Sequence, residues 1–451
     1  MSENDKDNKD FEFIKEQVIE KKRRKVKKWL LPLLMTVSMA ILFGMIAAVT
    51  FVMAEPRLYK LLHKEEEVKT PITFPTEYPL DSKDDNQGKT GTDTDKDTED
   101  KDNPTDSEEG EEEKEPKTVI VEQSIDADME DFLSMYDEIR TVYYQTNKSL
   151  INVSTITSVR DWFGDMVERT FSTTGLIISD LNDDLLILVS LDRVKDASSI
   201  KIELSDTIAI DAVLHDYDIE TNLAVIAVAM EDIPPSFLTN IKVATLGESY
   251  TITVGSPILA LGSPNGHPGS MEIGVITSRG SWASITDNKL DLFNTNVENN
   301  DNSDGIIVNM KGEVIGLITR TLKDGVNENL STAIGISKAK PLIESIANKE
   351  KRVYFGVEAE DMTEAAKLEN LITNGIYVNE VRADSPAFAA GMKNGDIIMQ
   401  VDDKSIINTN NFYNTISGYL PEDEVIVKIK RTSGTAEKDM EMTIVLAEKE
   451  K

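Results

Sequence analysis

Cysteine is absent from all 451 residues, which excludes disulfides, thiolate nucleophiles and zinc-thiolate sites and leaves the compartment to be read from other signals. Histidine is scarce, with three copies, so chemistry that needs an imidazole has few places to draw on. Basic residues are outnumbered, 48 Lys and Arg against 81 Asp and Glu, for a formal net charge of -33. Nucleic acid needs clustered cations to neutralise phosphate, and the basic clusters here are too short and misplaced, so that function class is disfavoured. No metal and no cofactor is expected. At roughly 150 residues per domain the length leaves room for two or three folded units plus tails, and two is the reading here.

Charge is also missing between Trp29 and Ala54, a run of about 26 residues where about 20 suffice to cross a bilayer. The cluster Lys21-Lys22-Arg23-Arg24-Lys25-Val26-Lys27-Lys28 precedes it, and the positive-inside rule keeps that flank cytoplasmic. Residues 1–28 therefore read as a cytoplasmic basic tail and 29–54 as an uncleaved transmembrane helix of a single-pass plasma-membrane protein. The competing reading is a cleaved signal peptide with Val52-Met53-Ala54 at its site, but such apolar cores run about 7 to 15 residues. Residues 55–118 are assigned to an acidic linker. No large apolar residue occurs from Asp81 to Lys117, so nothing there offsets ordering entropy, and the runs Glu108-Glu109 and Glu111-Glu112-Glu113 extend it by repulsion. Cation binding is the alternative for this stretch, although no loop in it has the ligand spacing and turn glycine of a calcium site.

Beyond the linker, Met129, Phe132, Leu133, Tyr136, Ile139, Val142 and Tyr143 fall along one face of a helix, with Asp126 or Asp128 as its N-cap. Short apolar segments follow at 150–153, 175–178, 185–189, 200–204, 208–213, 223–228 and 258–261. Such spacing predicts an antiparallel sandwich or barrel, and periodicity alone goes no further.

Several motifs in order then resemble the HtrA family of trypsin-like serine proteases. Thr174-Gly175-Leu176-Ile177-Ile178-Ser179 resembles the family's opening barrel strand. Thr221-Asn222-Leu223-Ala224-Val225-Ile226 resembles its Thr-Asp-Leu-Ala-Val-Leu, and Ala260-Leu261-Gly262-Ser263-Pro264-Asn265-Gly266 its Ala-Ile-Gly-Asn-Pro-x-Gly. Gly274-Val275-Ile276-Thr277-Ser278 follows as the matching strand. Asn302-Ser303-Asp304-Gly305 stands where the family has Gly-Asn-Ser-Gly-Gly-Pro, followed by Gly312-Glu313-Val314-Ile315-Gly316. The resemblance implies an all-β trypsin-like double barrel over 119–348.

It also implies altered chemistry. A serine protease needs a base, a carboxylate to orient it and backbone donors for the oxyanion. The family's histidine position holds Asp192, in Leu188-Val189-Ser190-Leu191-Asp192-Arg193-Val194, and its aspartate position holds Asn222. Ser303 stays at the nucleophile position, but Asp301 replaces an oxyanion-hole glycine, where a carboxylate should repel developing charge and strain the backbone. A carboxylate is a weak base toward a serine hydroxyl, and none of His63, His215 and His267 stands at the base position. The chain thus reads as a pseudoprotease with no intact catalytic residue set.

The stretch 352–447 resembles the α+β PDZ domain of HtrA proteins through Gly375-Ile376-Tyr377-Val378, Ala383-Asp384-Ser385-Pro386-Ala387 and Ala390-Gly391-Met392-Lys393-Asn394-Gly395-Asp396-Ile397-Ile398. Pro386 can open a short helix, Gly391 can end it, and 411–417 forms part of the helix walling the groove. Tyr354, Phe355, Gly356 and Val357 resemble the carboxylate-binding loop, whose N–H groups grip a peptide C-terminus beside a sheet edge. The expected function is a membrane-anchored sensor or scaffold that binds peptide C-termini or unfolded protein segments outside the membrane without cleaving them. The alternatives are an active endopeptidase in extracytoplasmic protein quality control and a structural oligomerisation protein, since HtrA relatives commonly form homotrimers.

Overall fold

In a computed structural model of the protein, residues 35–41, 43, 45, 70–75, 128–160, 162–205, 207–323, 329–433 and 436–450 are described. The chain divides into two compact units, Met1–Lys69 and Thr70–Lys451. In the first, residues 35–41, 43 and 45 are helical, and among the described residues no helix is long and apolar enough to cross a membrane. The rest of the 29–54 run, the basic cluster, His63, Asp126 and the acidic stretch 81–117 lie outside the described residues.

Asp128 caps helix α1 (Met129–Thr146) with a capping box, its carboxylate accepting the N–H groups of Glu130 and Asp131. The expected apolar face is only half used. Ile139, Val142 and Tyr143 pack against the core, whereas Met129, Phe132, Leu133 and Tyr136 are exposed. Spacing fixes which side chains share a face but not how far a partner surface extends beneath them.

Strands β1 (Leu150–Arg160), β2 (Met166–Ser179), β3 (Asp184–Ser190), β4 (Ser199–Ser205), β5 (Ile208–Asp218) and β6 (Leu223–Ala229) close a barrel in the order β1-β2-β3-β6-β5-β4. Strands β7 (Pro257–Ser263), β8 (Ser270–Ile285), β9 (Asn288–Glu298), β10 (Asp304–Val308), β11 (Val314–Thr319) and β12 (Leu330–Gly335) close a second, in the order β10-β11-β12-β9-β8-β7. Closure removes sheet edges. Each apolar segment expected from the sequence lies in one of these strands. β2 starts earlier than its buried half, because residues 166–172 are exposed and pair with β1 in a projecting hairpin, out to Arg160 opposite Met166.

Helix α2 (Ile336–Ala347) follows β12 and packs with both barrels into one shared core that includes Leu176, Leu188, Leu259, Leu292, Ile306 and Ile343. Residues 70–75, read from sequence as linker, are packed against it. Thr70 exchanges two bonds with the Asn182 amide, Ile72 exchanges two with the Asn348 amide, and Ile72 is buried. Burial of one isoleucine is worth roughly 1.5 to 3 kcal/mol, which six residues of mixed composition do not advertise.

The third body carries β14 (Val357–Asp361), β15 (Ile376–Val381), β16 (Ile397–Val401), β18 (Glu424–Ser433) and β19 (Ala436–Val445) in one sheet in that order. β17 (Lys404–Ser405) pairs with β16, and β13 (Val353–Tyr354) pairs with β20 (Ala447–Glu448). Pro386 opens a helical turn, Gly391 follows it at φ 88, and helix α3 (Thr409–Ile416) covers the sheet through Phe412, Tyr413 and Ile416.

Lys340, in the middle of α2, is 1% exposed, and its ammonium donates to Glu248 Oε1 at 2.6 Å and to the Pro75 carbonyl at 2.8 Å. Removing the ammonium leaves Glu248, 21% exposed and still bonded by the Ser337 hydroxyl, without its cation, a loss of about 1 to 3 kcal/mol. Lys340→Ala should lose that much in denaturant unfolding, whereas Lys340→Met with Glu248→Leu should recover most of it.

Candidate functional site

The loops after β3, β5 and β11 meet the loop before β10 at the seam between the barrels, and this brings together three residues placed by sequence motifs. Asp192 begins the turn after β3. Asn222 sits in the left-handed region at φ 59, which Asn tolerates, with its amide facing Asp192. Its Oδ1 accepts the Asp192 N–H at 2.8 Å and its Nδ2 donates to Asp192 Oδ1 at 3.1 Å. Asn222 therefore holds Asp192 as an aspartate would hold a histidine, but the held group is an anion.

That anion is spoken for. Arg320 donates through Nη2 to Asp192 Oδ1 at 2.8 Å and Oδ2 at 2.7 Å, and through Nη1 to the carbonyls of Asp301 and Ser303 at 3.4 Å each. Arg193 adds a bond of 2.7 Å to the Asp301 carbonyl. Burial lowers the pKa of the Arg193 guanidinium, and neighbouring Arg320 lowers it further. Two guanidiniums and one carboxylate thus gather at the backbone of the turn that carries the nucleophile position. Charge-assisted pairs of this geometry are strong and directional, so Asp192 is fixed on Arg320.

Ser303 is buried at 1% exposure. Its hydroxyl oxygen accepts the Asn300 N–H at 2.9 Å, and its own N–H donates back to the Asn300 carbonyl at 3.0 Å. The Asn302 N–H is taken by Asn300 Oδ1 at 2.9 Å. The turn 300–303 is therefore closed on itself, and the serine N–H that an oxyanion hole requires is already used. Asp301 is exposed and is not among the described non-glycine residues with positive φ. The backbone strain expected there is corrected, because the turn takes a form that any L residue adopts. His215 Nε2 bonds the Ala347 carbonyl at 2.9 Å, and burial lowers its pKa. His267 is exposed in its turn. Neither is hydrogen-bonded to Ser303.

Arg320 and Asp304 were not singled out from sequence. Asp304 is buried and takes hydrogen bonds from the Thr173 hydroxyl, from Ser190 Oγ at 3.0 Å and from the Gly305 N–H at 2.8 Å. It ties the second barrel to β2 and β3 of the first. Gly305, at φ 120, cannot be replaced without collision, since a Cβ there would stand 2.1 Å from the Leu261 carbonyl oxygen.

In the third body the sequence placed a carboxylate loop at Tyr354, Phe355, Gly356 and Val357, and the N–H groups of the last three do converge. They converge on a side chain of the same protein. Asp287, in the β8–β9 turn, accepts Phe355 N–H at 2.7 Å, Gly356 N–H at 2.8 and 2.9 Å to its two oxygens, and Val357 N–H at 3.0 Å. Burial raises the Asp287 pKa, while the three N–H donors and Lys449 act in the opposite sense.

Two closed six-stranded barrels meeting at a seam, followed by an edge-and-helix peptide-groove sheet, define the class: a trypsin-like protease fold joined to a PDZ domain. Residues 353–444 match the family model for the PDZ domain. The chain is 33% identical over 269 residues to a "Probable periplasmic serine endoprotease DegP-like" of Rickettsia conorii, covering 57% of this chain and 51% of that protein. It is 26% identical over 341 residues to the "Serine protease Do-like HtrA" of Bacillus subtilis, covering 71% and 72%. The chain thus spans about half the length of the Rickettsia relative. The solved structure "HtrA-type protease AlgW with tripeptide" shares the fold at 23% identity and TM-score 0.51, over 68% of this chain and 98% of that one. The chain is thus similar to HtrA-type proteases across its double barrel and PDZ domain together.

The seam makes a pH prediction. Burial holds the Asp304 carboxyl above the usual carboxylate range, against the opposing pull of Thr173, Arg320, Gly305 and Ser190. A raised folded-state pKa means that the group's contribution is fully present below its unfolded value and is lost as pH rises through the folded one. The stability advantage of the natural chain over Asp304→Asn should be largest near about pH 4 and shrink toward neutrality. Denaturant midpoints of the two proteins at a series of pH values check the sign.

Proposed function

We propose that this chain is a non-cleaving HtrA-family protein that binds C-terminal carboxylates or unfolded protein segments through its PDZ domain, as a sensor or scaffold. The carrying observation is the seam: Asp192 is held by Arg320, and Ser303 has both its hydroxyl oxygen and its N–H engaged with Asn300. General-base loss alone removes about 10²- to 10⁴-fold of rate, and an oxyanion donor is lost with it. The PDZ reading is supported by the three N–H groups that already grip a carboxylate, and by a relative in the same fold whose structure holds a tripeptide. The relatives' names, a serine endoprotease and a serine protease, favour the competing reading of an active enzyme.

Hydrolysis of unfolded casein separates the two. The natural chain and Ser303→Ala should give equal traces. A Ser303-dependent rate well above background would establish the endopeptidase instead.

For placement we take residues 29–54 as an anchor with residues 1–28 inside, supported by the uncharged run and its basic flank. Protease shaving of intact cells should then remove an epitope fused after Lys451. An epitope digested only after lysis would reverse the orientation.

A further inference from the structure

Asp287 does more than touch the loop. A peptide C-terminus in a groove of this kind offers a carboxylate to convergent N–H donors and a backbone N–H to the sheet edge. Asp287 offers both, because beside its carboxylate contacts its own N–H donates to the Val357 carbonyl at 2.9 Å. The loop is shaped for an anion by Gly356, at φ 95, where a Cβ would lie 2.0 Å from the Ser385 Cβ. The next donor along β14, the Ala359 N–H, is capped by the Tyr413 hydroxyl of α3 at 3.2 Å.

The turn that carries Asp287 is itself held. Thr286 Oγ1 donates to Glu220 Oε1 at 2.6 Å and accepts from Arg382 Nε at 3.1 Å, and the Thr286 carbonyl accepts from Lys449 at 3.2 Å. Arg382 belongs to the PDZ domain and Lys449 follows β20, its N–H bonded to the Arg352 carbonyl at 2.8 Å, while Glu220 and Thr286 belong to the barrels. Asp287 itself is at φ 57, a backbone state that Asp tolerates better than most residues.

We propose that Asp287 is an internal ligand of the PDZ domain, a side-chain carboxylate that occupies the terminal-carboxylate site until a peptide with a free C-terminus displaces it. This rests on the peptide-binding reading above and names its competitor. The occupant is tethered, so its effective concentration is set by the fold and not by the solution. A peptide's apparent affinity is reduced by the fraction of loops left open. Binding then has a mechanical output, since each displaced Asp287 frees the β8–β9 turn of the second barrel from the PDZ domain.

The test uses the full chain and a pool of fluorescent decapeptides with free C-terminal carboxylates and apolar last residues, against the same pool amidated. Asp287→Gly removes the carboxylate and suits the left-handed backbone, and Asp287→Asn keeps the shape without the charge. Both variants should bind the free-acid pool at least tenfold more tightly than the natural chain, with Asp287→Gly the tighter, and amidation should abolish the gain. Hydrogen exchange at Phe355, Gly356 and Val357 should quicken in Asp287→Gly and slow again when peptide is added. Equal affinities in all three proteins, with the free-acid preference intact, would overturn the internal ligand and leave the peptide reading standing. No binding by any of the three would remove both.

Discussion

Barrel closure is the constraint from which the rest follows. A closed six-stranded barrel has no edge to pair and only one interior to fill, so the remaining apolar faces of the two barrels must meet each other. They do so around α2 in a shared core, and the meeting creates a seam onto which loops from both barrels open. Polar groups caught in that seam must find partners there. Asp304 finds Thr173 and Ser190 across it, Thr174 Oγ1 lies 2.8 Å from Ser263 Oγ, and Arg320 finds Asp192.

The same seam in an active trypsin-like enzyme would hold a neutral imidazole between a carboxylate and a hydroxyl, poised to move a proton. Here every partner is already matched in charge. The carboxylate at the histidine position has drawn a guanidinium to itself, and the guanidinium reaches on to the carbonyls of Asp301 and Ser303. One guanidinium nitrogen of Arg320 thus meets both oxygens of Asp192, while the Ser303 hydroxyl oxygen is engaged by the Asn300 N–H.

Most of the fold was legible from the sequence, because ordered motifs and short apolar runs report strands directly. Asp192, Asn222 and Ser303 were legible as motif positions, and the structure brings their loops together. Arg320 was not, since its partner lies 128 residues away and its own surroundings, Thr319 and Thr321, carry no motif. Asp287 was hidden for a related reason. Thr286-Asp287-Asn288 reads as an ordinary hairpin turn, and only the packing of a separate domain against that turn gives its carboxylate three donors. The loop at 354–357 was picked out by its motif, but the side chain it holds belongs to tertiary structure. The half-used face of α1 has the same cause, for periodicity names a face without supplying the surface that covers it.

The short segment at 70–75 has a consequence for load. Chain upstream of Thr70 is attached to the double barrel through two reciprocal amide clasps, at Asn182 and at Asn348, with Ile72 buried between them. A tensile force applied from that side is delivered to the end of α2 and to the β2–β3 turn, at the barrels, before it can reach the PDZ domain. Peeling the segment requires these four hydrogen bonds, those of the Phe74 N–H to Glu344 and of Lys340 to the Pro75 carbonyl, and the apolar contacts of Ile72 and Phe74 to give way, so the segment takes up strain ahead of the sheet beyond it.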